Sequence, residues 1–220
     1  MGLFDSIKNP FEGNNPLDRA TSIFEESTAL GKGVTFCRLQ VCLESAGRGR
    51  GSILGTLASK ANSASTETAF GLAKLVSDVS LELLRRPDDW VACATEAVTF
   101  QGSTAEAKAE QFYNQQVTKE LAKFEKEYVP KPGEATAGPA TLVVVSLMCA
   151  MRGDRTGEAI GGVSGDAGLL RKALQQLAAD VAVQRGELLV AAEVLWTPSE
   201  DDEVLTKGDL LLDYPELLEL

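Results

Sequence analysis

The stretch from Glu187 to Pro198, ELLVAAEVLWTP, places the strongest constraint on the fold of this chain. It combines apolar and β-branched residues around one internal acidic residue, and it ends at a proline, which cannot donate a hydrogen bond within a sheet. As a strand it would send alternate side chains to opposite faces, with Glu193 marking the wetter face. Trp196 and Pro198 would then be structural anchors. The two faces would carry Leu188, Val190, Ala192, Val194 and Trp196 on one side, and Leu189, Ala191, Glu193 and Leu195 on the other.

Three further segments have strand patterns. Val34–Glu44 alternates cleanly, with Arg38 and Gln40 on its polar side. Trp90–Phe100 alternates more weakly. Thr141–Cys149 is apolar on both sides, which is typical of a strand that is covered on each face. The chain is therefore predicted to contain four strands.

Segments with helical spacing fill the intervals between these strands. The order of elements predicts an α+β fold, with a four-stranded, mainly antiparallel sheet, packed helices and a loosely ferredoxin-like arrangement. A doubly wound parallel sheet is the alternative, since alternating strands and helices also permit it. The predicted helices are Ser52–Ala61, one from Ser65 or Thr66 to Arg86, one opened by Ser103 and Glu106, one capped by Ser164 or Asp166, and one capped by Thr206.

The chain is predicted to form an arm, residues 1–33, and a single domain, residues 34–220. Prolines and glycines interrupt every long periodic pattern in the arm, although Leu3, Phe4 and Ile7 could form one turn of an amphipathic helix. The longest apolar run, 140–150, is roughly half of the ~20 residues that a membrane-spanning helix needs. A peripheral or soluble protein is therefore expected.

Negative charge is concentrated at the C-terminal end. Residues 198–220 hold eight acidic side chains and one lysine, in a chain of net charge −11. Because a phosphate backbone would be repelled there, nucleic-acid binding is not expected. A candidate interaction surface for a basic protein partner comprises Leu3, Phe4 and Ile7 together with Asp201, Asp202 and Glu203. The alternative is a tail that is acidic because it is solvated.

The last residues are rich in leucine, and we expect them to pack back on the domain. Leu210–Leu212 and Tyr214 would otherwise expose a large apolar surface, and Tyr214 with Pro215 would turn the chain end. Both residues are therefore predicted to be structural anchors.

The sequence contains no recognisable catalytic, cofactor or metal site. It has no histidine, and its four cysteines are isolated in the sequence, which favours buried free thiols in a reducing compartment. A glycine-rich turn at 47–51 carries Arg48 and Arg50 before a helix and could bind an anion. Its spacing does not match a nucleotide-binding loop, so a flexible turn is the alternative.

Several motifs together resemble one known family. VLWTP is followed by LLLDYPELLEL, and RLQVCL, LELLRRPDDWV and AEAKAEQFYNQQVTKELAKFEKEY precede them in the family's order. The chain resembles, over roughly residues 34–220, a domain family of unknown biochemical function. That family is found in cyanobacteria and plastids and includes the fluctuating-light-acclimation protein of chloroplast membranes.

This resemblance implies a non-enzymatic regulatory or interaction protein that associates with photosynthetic (thylakoid) membranes or their complexes. It implies a location in the plastid stroma, at the thylakoid surface or in the cyanobacterial cytoplasm, and no cofactor. Two other classes stay open from the residues: a small-molecule or anion-binding module that uses Arg48 and Arg50, and an enzyme whose site has no recognisable spacing.

Overall fold

The structure, a computed structural model, describes residues 27–124, 141–163, 165–199 and 203–220. Within these ranges one open antiparallel sheet of five strands packs against six α-helices. The strands are β1 Val34–Ser45, β2 Trp90–Phe100, β3 Thr141–Arg152, β4 Leu189–Thr197 and β5 Leu218–Glu219. The helices are α1 Ile53–Ser63, α2 Ala69–Leu84, α3 Ala105–Phe124, α4 Arg155–Ile160, α5 Ala167–Asp180 and α6 Lys207–Asp213.

The strands lie in the order β4-β3-β1-β2-β5, and every neighbouring pair is antiparallel. The predicted α+β class and antiparallel sheet are confirmed, and the alternative of a doubly wound parallel sheet is wrong. The ferredoxin-like description is only approximate. Strands β1 and β2 are joined through two helices yet are antiparallel neighbours, whereas a βαβ unit joins parallel strands. The two-residue strand β5 was not predicted.

Local signals at the helix starts were mostly read correctly. Ser52 caps α1, and Thr206 caps α6 in a complete capping box, as predicted. Helix α2 begins later than predicted, after Thr68 instead of Ser65 or Thr66. A cap is a local hydrogen bond, so several nearby hydroxyls compete for the position and tertiary packing selects one of them.

One face of the sheet, which we call the four-helix face, packs against α1, α2, α4 and α5. From the strands, Leu39, Val41, Leu147 and Val194 are buried in this cluster. We call the other face the one-helix face, because α3 is the only described helix of more than two turns that covers it. The chain end, residues 203–220, covers the rest of that face.

The anchor strand β4 departs from simple alternation at one point. Ala191 lies opposite Ala150, but Leu189 lies opposite Met151, so Val190 is an extra residue in a β-bulge. Leu189 consequently packs on the four-helix face and Val190 on the one-helix face. The prediction assigned these two residues to the opposite faces, because a bulge leaves no mark on the period-two pattern.

Residues 27–33, the end of the predicted arm, pack on the domain. Leu30 is buried in the four-helix cluster, and its carbonyl accepts hydrogen bonds from the backbone N–H groups of Asp154 and Arg155. Leu3, Phe4 and Ile7 lie outside the described residues, so the rest of the arm stays a prediction.

Candidate functional site

The chain end folds back onto the sheet, and we call residues 203–220 the C-terminal segment. Its Leu205 is buried, and the backbone N–H of Leu205 donates to Thr141 Oγ1 at 2.9 Å. The carbonyl of Leu205 in turn accepts from the N–H of Leu142 at 3.1 Å. These bonds attach the start of the segment to the first residues of β3.

Tyr214 holds the middle of the segment. Its side chain is 1% exposed and packs with Cys42, Leu142 and Val144 of the sheet. The ammonium group of Lys123, from α3, lies 4.3 Å from the centre of the Tyr214 ring, within the range of a cation–π contact. Tyr214 is therefore placed as a structural anchor, whereas Pro215 is exposed.

Helix α6 carries two leucines that the fold does not bury. Leu211 is 76% exposed and Leu212 is 79% exposed, while Leu210 packs partly against the cluster around Tyr214. The expectation that Leu210–Leu212 would all pack back is therefore wrong for two of the three residues. The capping box at Thr206 and the buried ring of Tyr214 hold the helix at both ends. The exposed pair consequently sits on a fixed element.

A network of polar side chains lies beneath this segment on the one-helix face. The amide Nε2 of Gln40 donates to Glu120 Oε1 at 2.8 Å, and Ser146 Oγ donates to the same oxygen at 2.7 Å. Lys123 Nζ lies 3.1 Å from Glu120 Oε2 and 2.6 Å from Glu216 Oε1. The network thus connects two central strands, through α3, to the C-terminal segment.

The charges in the network favour the ion pair between Lys123 and Glu216. Burial by itself would raise the pKa of Glu216, but the hydrogen bond and charge of Lys123, helped by Arg38, bring it below its usual value. Glu120 and Ser146 are each 1% exposed. The hydroxyl–carboxylate pair that they form is closed to any substrate of ordinary size, so its geometry suits a structural role.

Glu193, a second acidic residue on the one-helix face, has a raised pKa instead of a lowered one. Burial raises the pKa of Glu193 from 4.5 to about 7. The pKa of Tyr113, on α3, is raised well above its usual value by burial and then by the charge of Glu193. The face that Glu193 was predicted to mark as wet is in fact covered by α3.

The predicted anion site does not form a free cationic pair. Arg48 is half-buried, and its guanidinium donates to the backbone carbonyl of Glu203. Arg50 is exposed on the same glycine-rich turn. The turn therefore ties α1 to the C-terminal segment, and anion binding by Arg48 and Arg50 stays a prediction.

The acidic part of the predicted interaction surface is only partly described. Asp201 and Asp202 lie outside the described residues. Glu203 is 8% exposed, and its carboxylate accepts from the backbone N–H of Ser199 at 2.8 Å. Glu203 therefore serves the fold and does not offer a free charge at the surface.

The anchors of β4 lie at the far edge of the sheet. Trp196 is half-buried against the four-helix cluster, and Pro198 is buried after a cis peptide bond.

The four cysteines are buried free thiols. In the parts of the chain that the structure covers, no group of acidic residues and cysteines could hold a metal ion. No helix there is long and apolar enough to cross a membrane.

Sequence reasoning missed most of the polar network. Gln40 and Arg38 were placed on a polar side of β1, which is a valid signal. Ser146 stands within an apolar run, and Glu120 and Lys123 are spaced three apart on a helix rich in charged residues. Only the strand register, which sets Gln40 opposite Ser146, brings these groups together.

Comparison with known proteins gives consistent similarities. Residues 33–220 match the family described as "Protein of unknown function (DUF1517)". The chain is 31% identical to Protein FLAP1 homolog A of Synechocystis sp., over 70% of this chain and 48% of that protein. It is 30% identical to FLUCTUATING-LIGHT-ACCLIMATION protein 1, chloroplastic, of Arabidopsis thaliana, over 71% of this chain and 40% of that protein. The chain thus spans half or less of the length of these relatives. No solved structure is significantly similar to it.

Proposed function

Since the chain belongs to the DUF1517 family, as its resemblance to that family predicted, we propose that it is a regulatory or interaction protein of photosynthetic membranes that acts by binding other proteins. One relative is named for acclimation to fluctuating light and for the chloroplast, and another is its homolog in a cyanobacterium. The family is of unknown function, and these names do not describe an enzyme.

The observation that carries this proposal is the exposed pair Leu211 and Leu212. Both side chains have more than three quarters of their surface in water, and adjacent exposed apolar residues on an ordered element are typical of a protein contact. Between 203 and 220 the C-terminal segment bears five acidic side chains and one lysine. Glu203 and Glu216 are engaged within the chain, whereas Glu219 is exposed. A partner that suits it offers an apolar contact surrounded by basic residues.

Charge also favours a protein partner over a lipid surface. Anionic lipid headgroups repel an acidic segment, and two leucines bury too little apolar area to hold a protein on a bilayer. We therefore place the protein at the stromal surface of thylakoids, or at the corresponding surface in cyanobacterial cytoplasm, held by protein contacts.

The test is affinity capture from gently solubilised photosynthetic membranes, read by mass spectrometry. The full chain is compared with the double variant Leu211→Ser, Leu212→Ser. Leu81→Ser is the matched control, because Leu81 is 41% exposed on α2. We expect the double variant to lose specific partners that the control keeps, and high salt to weaken capture. Equal capture by all three proteins would contradict docking through α6.

Fractionation tests the location separately. A protein held by exposed charged contacts should leave the membrane in high salt. Retention in both high salt and alkali, or tight binding to protein-free anionic liposomes, would contradict docking through a protein.

A further inference from the structure

The outer edge of β2 is only partly covered by another strand. Strand β5 pairs with it at Ala92 and Cys93, and the N–H of Leu220 donates to the carbonyl of Val91 at 3.0 Å. Strand β2 continues to Phe100. In the ranges that the structure describes, no strand lies beside the remaining part, residues 94–100.

The antiparallel ladder identifies which backbone groups point outward. Val91 bonds outward to Leu220, and successive residues of a strand alternate, so Thr95, Ala97 and Thr99 also turn their N–H and C=O groups away from β1. The described residues supply these three with no backbone hydrogen-bond partner. Within the described ranges, these outward groups are therefore left to pair with water or with an added strand.

This edge lacks two of the features that usually prevent strand addition, and its one charged side chain, Glu96, is paired with Arg38. The run ATEAVTF from 94 to 100 has no proline and no lysine, and three of its residues are β-branched. Thr99 is exposed, and Thr95, Ala97 and Val98 are half-buried. A neighbouring strand could therefore reach the backbone of Ala97 and Thr99. At Thr95 the loop ending at Val163 lies close by, because the Val163 carbonyl accepts from Thr95 Oγ1 at 3.0 Å.

Side chains along the edge specify what kind of strand fits. Glu96 is 31% exposed and pairs with Arg38 at 3.1 Å. Val98 and the half-buried Phe100 follow on the same face, where the Phe100 ring lies 5.7 Å from that of Phe112. An added strand would thus place one residue beside an accessible carboxylate and the next residues on that face beside apolar side chains.

We propose that the outer edge of β2, from Ala94 to Phe100, binds an extended segment of a partner protein as an added antiparallel strand. The segment carries a lysine or arginine beside Glu96 and an apolar residue beside Val98. The inference rests on the proposed function, because it assumes that the partner is a protein. Strand addition of this kind takes affinity from main-chain bonds and specificity from alternate side chains.

Two observations select this occupant. Strand β5 already pairs with the same edge in antiparallel register, so a second extended segment would continue an existing interface. The chain has a net charge of −11, which disfavours a second copy of itself and favours a basic segment. A dimer formed through this edge is therefore an outcome that would overturn the proposal.

The first experiment uses a blocked peptide probe, Leu-Thr-Val-Thr-Lys-Thr-Ala, and amide hydrogen exchange of the full chain by NMR. At ten times the dissociation constant of the peptide, exchange should slow about tenfold at Thr95, Ala97 and Thr99. The amides of Glu96 and Val98, which face β1, are internal controls and should not change.

Two matched peptides separate main-chain pairing from side-chain contact. Glutamate in place of the lysine should weaken binding, and N-methylation of alternate amides should abolish it. The strand-addition proposal is wrong if the N-methylated peptide binds equally well. It is also wrong if Thr95, Ala97 and Thr99 already exchange as slowly as Glu96 in the free protein, since the edge would then be covered.

Variants of the chain provide a second route. Ala97→Pro removes one outward N–H, a change that edge strands tolerate, and should abolish peptide binding. Glu96→Gln should remove the preference for the lysine peptide over the glutamate peptide. If Ala97→Pro does not fold, Glu96→Gln and the N-methylated peptide still decide the question.

Membrane capture separates this proposal from the proposed function. If the full chain and a folded Ala97→Pro variant capture the same partners in equal yield, strand addition is wrong and the proposed function stands. If the full chain captures no membrane protein, the proposed function fails, and the peptide experiment still tests the edge. Sedimentation that shows a dimer with these three amides protected would replace the partner with a second copy.

Discussion

The two faces of the sheet are covered by different means. On the four-helix face, Leu39, Val41 and Leu147 meet apolar side chains of four helices. On the one-helix face, a single long helix and the chain end cover a surface that includes Gln40 and Ser146. The four-helix face is held mainly by dispersion and the hydrophobic effect, although it includes the buried Thr156–Asp180 hydrogen bond. The one-helix face adds a network of directed hydrogen bonds and ion pairs to its apolar contacts.

This contrast separates stability from binding. Uncovering part of the four-helix face would expose the larger apolar core, so elements that bind other proteins are expected on the more thinly covered one-helix face. The exposed leucines of α6 belong to the cover of the one-helix face, and the free edge of β2 presents Glu96 and Val98 on that face.

The largest loss of stability is expected on the four-helix face. Leu39 is fully buried in the centre of that cluster, so Leu39→Ala should leave a cavity and cost about 2–5 kcal/mol of unfolding free energy. Urea denaturation measures this as a lower midpoint with an unchanged slope. A midpoint like that of the parent protein would show that this face is not the main source of stability.

On the one-helix face, the buried network should matter through the partners left behind. Glu120→Ala removes an acceptor shared by Gln40, Ser146 and Lys123 and should cost about 1–3 kcal/mol. Glu67→Ala is the control, because Glu67 is exposed and surface changes usually stay within about 0.5 kcal/mol. Equal midpoints for the two variants would mean that water replaces the lost acceptor.

Glu193 should make stability depend on pH. Burial raises its pKa from 4.5 to about 7, so between these values the folded chain binds more protons than the unfolded chain. Stability from this group is therefore fully present at low pH and is lost as the pH rises through about 7. Glu193→Gln should flatten this part of the profile and be the more stable form at pH 8, by up to about 2 kcal/mol.

The measurement for Glu193 is the denaturation midpoint of both proteins between pH 5 and 8. Tyr113 and Cys149, whose pKa values are raised by burial and then by Glu193, stay protonated throughout that range. Parallel profiles for the variant and its parent would show that solvent reaches the carboxylate and that its pKa is ordinary.

The smallest effect on stability is expected at α6. Leu211→Ser combined with Leu212→Ser removes side chains that the fold does not bury, so the unfolding free energy should change by less than about 0.5 kcal/mol. Partner capture should nevertheless fall. A clear loss of stability would mean that these leucines pack within the chain, and the contrast between a structural face and a binding cover would weaken.

Much of the fold was predictable, because the signals that carry it are local. The alternation in Val34–Glu44 and Trp90–Phe100 gave strands close to the observed β1 and β2, and the capping box at Thr206 was read directly. Helix α4, Arg155–Ile160, is not among the helices that the sequence predicted. It is held by tertiary contacts such as the 2.8 Å hydrogen bond from Thr156 to Asp180, which no local pattern records.

The candidate site was less predictable than the fold. The sequence indicated an acidic, leucine-rich chain end and anchors at Tyr214 and Trp196. It did not indicate that Leu211 and Leu212 would remain exposed. The run of three leucines contains no polar residue that would distinguish a buried side of the helix from an exposed one. It also gave no sign of the two-residue strand β5, which is too short for any periodicity.

The sequence alone therefore determined the family, the α+β class, the position of four strands and the placement of negative charge, since each depends on residue order or composition. Tertiary structure decided the strand order, the bulge at Val190 and the meeting of Gln40, Ser146 and Glu120. It also decided which part of β2 stays uncovered. These features depend on contacts between residues far apart in the chain, whose relative positions are set only when the sheet registers are chosen.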